Sequence, residues 1–185
     1  DIDTTTGEGF GATSNTNALG LNVTGTTNDI TSTAATALRV TNTTIGASNL
    51  NFRNISSGNT TAAADPASGI ILTSTGTSGR LIVAGNGGGC STAANCTGGA
   101  IQNTTNHGIS MASTLNPSFT RMFIQNTAGS GIDGTAVNGF TLDNSVLNNN
   151  GTGGGADESN VAFDVSAAGT ETNVSGVVTI TNNTL

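Results

Sequence analysis

The sequence of 185 residues predicts an all-β protein, a right-handed single-stranded parallel β-helix of about six rungs with loop insertions. Residues 101–110 and 124–133 both read Ile-Gln-Asn-Thr, three variable residues and then Gly-Ile, and they lie 23 residues apart. A period in the twenties is typical of a solenoid whose repeats stack on one another. Short segments in which apolar and polar residues alternate recur along the chain, whereas helical periodicity does not. The composition favours strands and turns.

Thr (34), Gly (27), Asn (24) and Ser (17) together make up just over half of the residues. Disordered chains usually combine low hydrophobicity with high net charge, but only 8% of these residues are charged and the apolar ones are regularly spaced. Thr favours strands, whereas Gly and Asn favour turns. Trp and Tyr are absent, so the core consists of small aliphatic side chains and six Phe, which fits a narrow solenoid.

The chain carries four Arg, no Lys and eleven acidic residues, a formal net charge of −7. Nucleic-acid partners need basic patches, so we expect none. No apolar run reaches the roughly 18 residues of a membrane span, so we expect no membrane insertion. A surface rich in Thr and Asn and poor in charge predicts an extracellular or cell-surface protein.

Each rung is expected to open on an apolar anchor residue that begins a strand. The anchors are Phe10, Leu38, Ile70, Ile109, Ile132 and Phe163. Their separations are 28, 32, 39, 23 and 31 residues, which predicts a constant core with loops of variable length. Another Ile precedes three anchors by eight residues, at Ile30, Ile101 and Ile124.

Between the anchors lie further alternating segments, each of which turns one side chain inward and the next outward. They occupy residues 19–23, 50–52, 81–83, 122–124, 140–142 and 177–180. Two or three short strands per rung result, with neighbouring rungs ~4.8 Å apart. The predicted right hand follows from the preference of parallel crossovers.

The repeat places Gln102 under Gln125, Asn103 under Asn126 and Thr104 under Thr127. Amide side chains stacked at the strand spacing can hydrogen-bond as a ladder and satisfy the backbone of a turn. We therefore predict that Gln102, Asn103, Gln125 and Asn126 form a structural ladder.

Residues 56–68, 84–100 and 148–160 interrupt the period and are rich in Gly, Ala and Asn. The first and third fall between the last strand of one rung and the first strand of the next, whereas the second falls within a rung. All three are predicted to be loops on an otherwise regular coil.

The ends of the sequence show no capping segment of the kind that solenoids need to close their exposed sheet edges. The chain begins at Asp1 without a signal peptide, which suggests a processed product or an excised fragment. We expect residues 1–185 to form a single β-helix segment of a longer solenoid, or a subunit whose ends stack on identical subunits.

Residues 119–127 and 131–145 resemble the rungs of large bacterial secreted β-helix repeat proteins. Those are adhesin- and autotransporter-like surface proteins of the pectin-lyase-like superfamily. The resemblance covers most of the chain, but its motifs are structural. It implies the fold and a surface location and says little about a ligand.

Within that superfamily, residues 107–110 resemble the His-Gly-Ile-Ser segment of polygalacturonases. That family places a carboxylate trio in the rungs before the His, yet Asp65 is the only acid within 70 residues upstream of His107. Its Arg-Ile-Lys segment is also missing, since Arg121 precedes Met122. A glycosidase without an acid pair lacks both its general acid and its nucleophile or base. A lyase would need clustered Asp for calcium and a basic residue, and that pattern is absent too. We predict no enzyme activity and no cofactor.

One pair of carboxylates could still form a site. If Ile132 and Phe163 occupy equivalent positions, Asp133 and Asp164 stack outward on neighbouring rungs, roughly 5 Å apart. That separation suits a retaining glycosidase or a shared cation, although two exposed acids are more often simply solvated. No other metal site is expected.

Cys90 and Cys96 lie within residues 84–100, six positions apart. Two Cys and a single His make a poor zinc site. In a secreted chain they predict a local disulfide; free thiols in a cytosolic protein are the alternative.

These observations favour a structural role, a rod-like extracellular segment that extends, displays or attaches as adhesins and surface fibres do. Its partners would be neighbouring solenoid segments or identical subunits end to end, and a surface polysaccharide or a host or cell surface. The main alternative is a carbohydrate-active β-helix domain that binds or cleaves a polysaccharide, although the aromatic platforms for sugar stacking are missing. Ice binding ranks third, because the Thr do not recur as Thr-x-Thr at every rung.

Overall fold

The computed structural model describes residues 1–15, 17–61, 65–155, 158–163 and 173–185. All regular structure in these residues is β-strand, as the sequence predicts. Within the same ranges no helix has the length and hydrophobicity that a membrane crossing requires.

The strands are short and follow one another closely along the chain. The first nine are β1 (Ile2–Thr4), β2 (Phe10–Thr13), β3 (Leu21–Val23), β4 (Asp29–Ser32), β5 (Leu38–Thr41), β6 (Ile45–Phe52), β7 (Asn54–Ser57), β8 (Ile70–Thr73) and β9 (Leu81–Val83). The others are β10 (Gly99–Gln102), β11 (Ile109–Leu115), β12 (Ser118–Thr120), β13 (Met122–Gln125), β14 (Ile132–Asp143), β15 (Val146–Asn148), β16 (Val161–Ala162) and β17 (Val174–Thr181).

Two parallel sheets are built from these strands. Sheet A has six strands in the order β1-β4-β7-β10-β13-β15. Sheet B has eleven, and its path β2-β5-β8-β11-β14-β12-β9-β6-β3 folds back on itself at the long strand β14. We call β2, β5, β8, β11, β16 and the start of β14 the first arm, and β3, β6, β9, β12, β17 and the end of β14 the second arm.

Strand β14 explains why sheet B curls. Its residues 132–138 pair with β11, and its residues 141–143 pair with β12. The chain therefore passes from sheet A to the first arm, then to the second arm, and then back to sheet A. Parallel pairing between successive passes is consistent with a parallel β-solenoid.

The anchors form one inward column along the first arm. Phe10 pairs with Leu38, Leu38 with Ile70, Ile70 with Ile109, and Ile109 with Ile132, which confirms the predicted register for the first five. From Leu38 onward these side chains are fully buried. Burial of one such side chain contributes about 1.5–3 kcal/mol of folding free energy. The column therefore stabilises the stacking of successive rungs.

The sixth anchor was predicted wrongly. Ile132 pairs with Val161 and not with Phe163. The ring of Phe163 instead lies against Gly134, where an added Cβ would come within 2.7 Å of a ring carbon. Its centroid is 5.2 Å from that of Phe140. Gly134 leaves a gap in the core, and an aromatic ring fills it.

Sheet A changes register between β7 and β10. Ile30 pairs with Ile55, whereas Ile101 pairs with Ser57. Ile30 and Ile101 therefore do not share a register position, although each precedes an anchor by eight residues. The Gly99 backbone, at φ 111°, lies so close to the Ile55 carbonyl that a Cβ there would come within 2.2 Å of its oxygen. Only glycine fits that approach.

In the described residues, the three predicted loops connect strands, with slightly different bounds. Residues 58–69 and 149–160 both connect sheet A to the first arm, and residues 84–98 connect the second arm to sheet A. The short turns 103–108 and 126–131 make the same connection as the first two loops. This corner of the solenoid carries most of the side chains that could form a site.

Candidate functional site

The predicted pair of outward carboxylates does not form in the expected register. Asp133, which is half-buried, pairs with Ala162. The two-residue shift has the same cause as the displaced anchor, since Phe163 takes the place opposite Gly134. Asp164 lies outside the described residues. The described structure therefore gives no second carboxylate opposite Asp133 on the next strand.

His107 holds two turns together. Its Nδ1 accepts a hydrogen bond from the backbone N–H of Ser130 at 3.0 Å. The imidazole also lies against Gly129, where a Cβ would come within 2.7 Å of Nδ1. One ring nitrogen is therefore occupied as an acceptor, and the contact gives His107 a structural role between the two turns.

No group of three or more His, Cys, Asp or Glu in the described ranges could hold a metal ion. Two of the acidic side chains are instead paired with Arg side chains. Glu8 pairs with Arg39 at 2.5 Å, and Asp29 accepts hydrogen bonds from Arg53, which raises the pKa of that guanidinium. These pairs link neighbouring passes of the chain.

Asp143 binds the last strand through two side-chain hydrogen bonds. Its Oδ1 accepts from Asn182 Nδ2 at 3.0 Å and from Thr181 Oγ1 at 2.8 Å. These donors hold the pKa of the Asp143 carboxyl below its ordinary value, because both stabilise the charged form. The contact is structural and lies on the second arm.

The ladder residues meet as follows. Gln102 lies opposite Gln125, and Gln125 Nε2 donates to Gln102 Oε1 at 2.9 Å. The two Asn find other partners. Asn103 Nδ2 donates to the carbonyl of Asn59, and Asn126 Oδ1 accepts from Asn149 Nδ2 at 2.8 Å.

Asn59 and Asn149 are the members of this network that the sequence argument missed. A signal existed for one of them, because residues 148–150 follow residues 125–127 by the same 23-residue period. Asn103, Asn126 and Asn149 all have positive φ, near 54°, and Asn tolerates this left-handed conformation better than most residues. The three residues therefore turn the chain at the same corner.

Cys90 and Cys96 form the predicted disulfide. Its loop folds over the outer face of sheet A, where both half-cystines pack with Ala100, Phe123 and Val146. Phe123 is thereby only 8% exposed although it points away from the solenoid core. The disulfide loop thus covers an apolar strip on this face.

An open cleft of about 440 Å³ lies between the two long loops, and we call it the interloop cleft. Loop 58–69 forms one wall with Thr60 and Asp65, and loop 149–160 forms the other with Thr152. The floor consists of the short turns 103–108 and 126–131, which present Asn103 and Asn126.

Backbone hydrogen bonds fasten both walls to the floor. The N–H groups of Thr105 and Asn106 donate to the carbonyls of Pro66 and Ala67 at 2.9 and 3.0 Å. On the opposite side, the N–H of Gly153 donates to the carbonyl of Ala128 at 2.8 Å. The cleft is therefore part of the folded framework.

No family model, no curated protein and no solved structure matches this chain.

Proposed function

We propose that this chain is a non-catalytic structural segment of an extracellular rod, built as a right-handed parallel β-helix of about six rungs. The observation that carries the proposal is the continuous ladder of parallel strands, with one buried apolar column running along the first arm. A solenoid of this kind extends by adding turns, so its length and its surface are what it offers to partners.

The edges of the stack support end-to-end assembly with neighbouring solenoid segments or identical subunits. At one edge lies β17, whose residues Val177, Val178 and Ile180 are 78, 40 and 41% exposed. At the other edge, Phe10 and Phe52 line a small apolar cavity of about 100 Å³. Both edges carry the strand geometry that joins successive turns inside the molecule. A further turn would continue the same ladders and cover these side chains.

An extracellular location is supported by the Cys90–Cys96 disulfide, because such bonds persist mainly in oxidising compartments. The charge pattern agrees, with no Lys and a net charge of −7. Cell-surface exposure can be measured on intact cells of the source organism with an antiserum against the purified chain. Labelling that external protease removes supports the proposal, and labelling only after permeabilisation contradicts it.

A non-catalytic role is supported by the positions of the candidate acids and base. General acid–base catalysis needs two groups within reach of one bond. His107 is hydrogen-bonded to Ser130 N–H, and Asp133 lies opposite Ala162.

Polysaccharide binding remains the second candidate, and the interloop cleft is the observation that favours it. Ice binding has less support. One outward row of the first arm reads Thr13, Thr41, Thr73, Ala112 and Thr135. The row beside it reads Gly11, Arg39, Ile71, Ser110 and Asp133, so no paired Thr array results.

A further inference from the structure

The interloop cleft combines fixed walls with an unusual set of side chains. Thr60, Thr105 and Thr152 are exposed around it, and Asn103 and Asn126 lie at its base. Asp65 is the one charged residue among the described residues that line it. The cleft therefore offers hydroxyls, amides and one carboxylate, with neither a cation nor an aromatic ring in the described lining.

This set of side chains disfavours several classes of ligand. An anionic sugar or a phosphate would face Asp65 without a compensating positive charge. An apolar ligand would remove the hydroxyls and amides from water without replacing their hydrogen bonds. A calcium ion takes six to eight oxygen ligands, usually with several carboxylates, and the described lining supplies one carboxylate. A neutral ligand rich in hydroxyl groups remains, because each hydroxyl both donates and accepts.

Asp65 supplies an independent argument. Its Oδ1 is shielded from water and receives no hydrogen bond from any described residue. A carboxylate oxygen that has lost water without gaining a donor is costly. The residue as a whole is only half-buried and lines the cleft, so a ligand hydroxyl meets its exposed part. Hydrogen bonds to a charged acceptor are also the stronger ones.

The amides on the floor are held in position before any ligand arrives. Asn103 donates through Nδ2 to the Asn59 carbonyl, which leaves its Oδ1 without a hydrogen bond to a described residue. Asn126 accepts a hydrogen bond through Oδ1 from Asn149, which leaves its Nδ2 without a hydrogen bond to a described residue. The floor thus presents one fixed acceptor and one fixed donor, and fixed groups lose little conformational entropy on binding.

We infer that the interloop cleft binds a neutral oligosaccharide, with Asp65 accepting a hydrogen bond from a sugar hydroxyl. Asn103 and Asn126 hold further hydroxyls, and the exposed Thr hydroxyls contact the sugar along the walls. The inference rests on the proposed extracellular role, for which it names the class of ligand. No bond is broken, since the described lining offers a single carboxylate.

The test uses the purified disulfide-bonded chain and a panel of neutral linear hexasaccharides of glucose, mannose, galactose or xylose. Binding is followed by two-dimensional NMR of backbone and Asn side-chain amides, with hexagalacturonate and calcium chloride as separate arms. At least one neutral hexasaccharide is expected to shift signals of residues 103–106 and 126–128. Asp65→Asn, which keeps the shape and removes the charge, should weaken that binding at least about tenfold, the equivalent of about 1.4 kcal/mol.

Asp3→Asn is the matched control, because it removes an exposed carboxylate from β1, outside the cleft lining. It should leave binding unchanged. If Asp65→Asn lowers the melting temperature, Thr105→Val provides a second variant, since it removes only an exposed hydroxyl. That variant should weaken binding without changing stability.

Several results would overturn the inference: no neutral hexasaccharide binds, only hexagalacturonate binds, calcium alone shifts the cleft signals, or Asp3→Asn weakens binding as much as Asp65→Asn. The proposed extracellular role is tested separately, by the labelling of intact cells. Surface labelling without binding would reject the cleft alone. Binding by a chain that is labelled only in permeabilised cells would reject the extracellular role alone.

Discussion

The short turns 103–108 and 126–131 and the long loops 58–69 and 149–160 leave sheet A at the same corner, but they are held differently. The short turns have equal length, so the strands that precede them stay in register, as Gln125 meets Gln102 at 2.9 Å. The long loops have no copy of their own length next to them. They attach through backbone hydrogen bonds such as Gly151 N–H to the Gly129 carbonyl at 2.9 Å.

The difference shows how one corner can serve two purposes. Stacked copies repeat the same hydrogen bonds at every turn, and such repetition stabilises a solenoid. Loops of a different length are free to take a shape of their own, and here they become the walls of a cleft. We therefore expect substitutions under the floor to affect stability most, and substitutions in the walls to affect binding.

The largest effect is expected in the core beneath the floor. Ile109 is fully buried between Ile70 and Ile132, so Ile109→Ala should cost about 2–5 kcal/mol of unfolding free energy. Urea unfolding followed by circular dichroism measures it. The control Ile71→Ala, on the outward face of β8, should cost less than half as much. Equal losses at the two sites would mean that the first arm is not packed as described.

The next effect concerns the third long loop, residues 84–98, which a disulfide fastens. A Cys90→Ser, Cys96→Ser double variant should lose about 2 kcal/mol, because the bond closes only a short loop. It should also expose Phe123 and Val146, measurable as increased binding of a hydrophobic dye. Intact mass with alkylation checks the premise. Two alkylated thiols in the unreduced protein would show that the disulfide is absent.

A smaller effect is expected in the ladder itself. Gln125→Ala removes the hydrogen bond to Gln102 and should cost about 1 kcal/mol, a typical value for one such bond. The double variant Gln102→Ala, Gln125→Ala should cost less than the two single variants together, since both remove the same contact. Fully additive losses in urea unfolding would indicate that the two amides do not interact.

The smallest effect concerns pH and extends the comparison to the second arm. The lowered pKa of Asp143 means that its contacts with Thr181 and Asn182 stabilise the fold above its ordinary pKa of 3.8. That stabilisation is lost as the pH falls through the lowered value. Asp143→Asn should therefore melt below the parent at pH 6, and the two melting temperatures should converge as the pH falls below 3.8 and through the lowered pKa. A difference that does not shrink as the pH falls below 3.8 would contradict this role.

Apolar spacing predicts the first arm well, because an inward column leaves a strong pattern in any strand. The prediction fails at Phe163, because Val161 takes the anchor position and the Phe163 ring packs against Gly134. The sequence pattern does not show that Gly134 leaves room for a ring. The sequence also places both long loops at one corner. It does not show that Asp65 and Thr152 face a common cleft, because that depends on loop conformations that no periodicity encodes.

Hydrogen exchange of the intact disulfide-bonded chain, read by mass spectrometry, tests the division between floor and walls most directly. The account predicts that the backbone amides of Asn103, Gly108, Ala128 and Gly129, which donate to carbonyls of the adjacent turn or strand and not to a wall, exchange only when the whole solenoid unfolds. Amides of residues 58–61 and 149–155 should exchange at least about tenfold faster, because few buried apolar contacts hold them. Floor amides that exchange as fast as those of the walls would contradict the account.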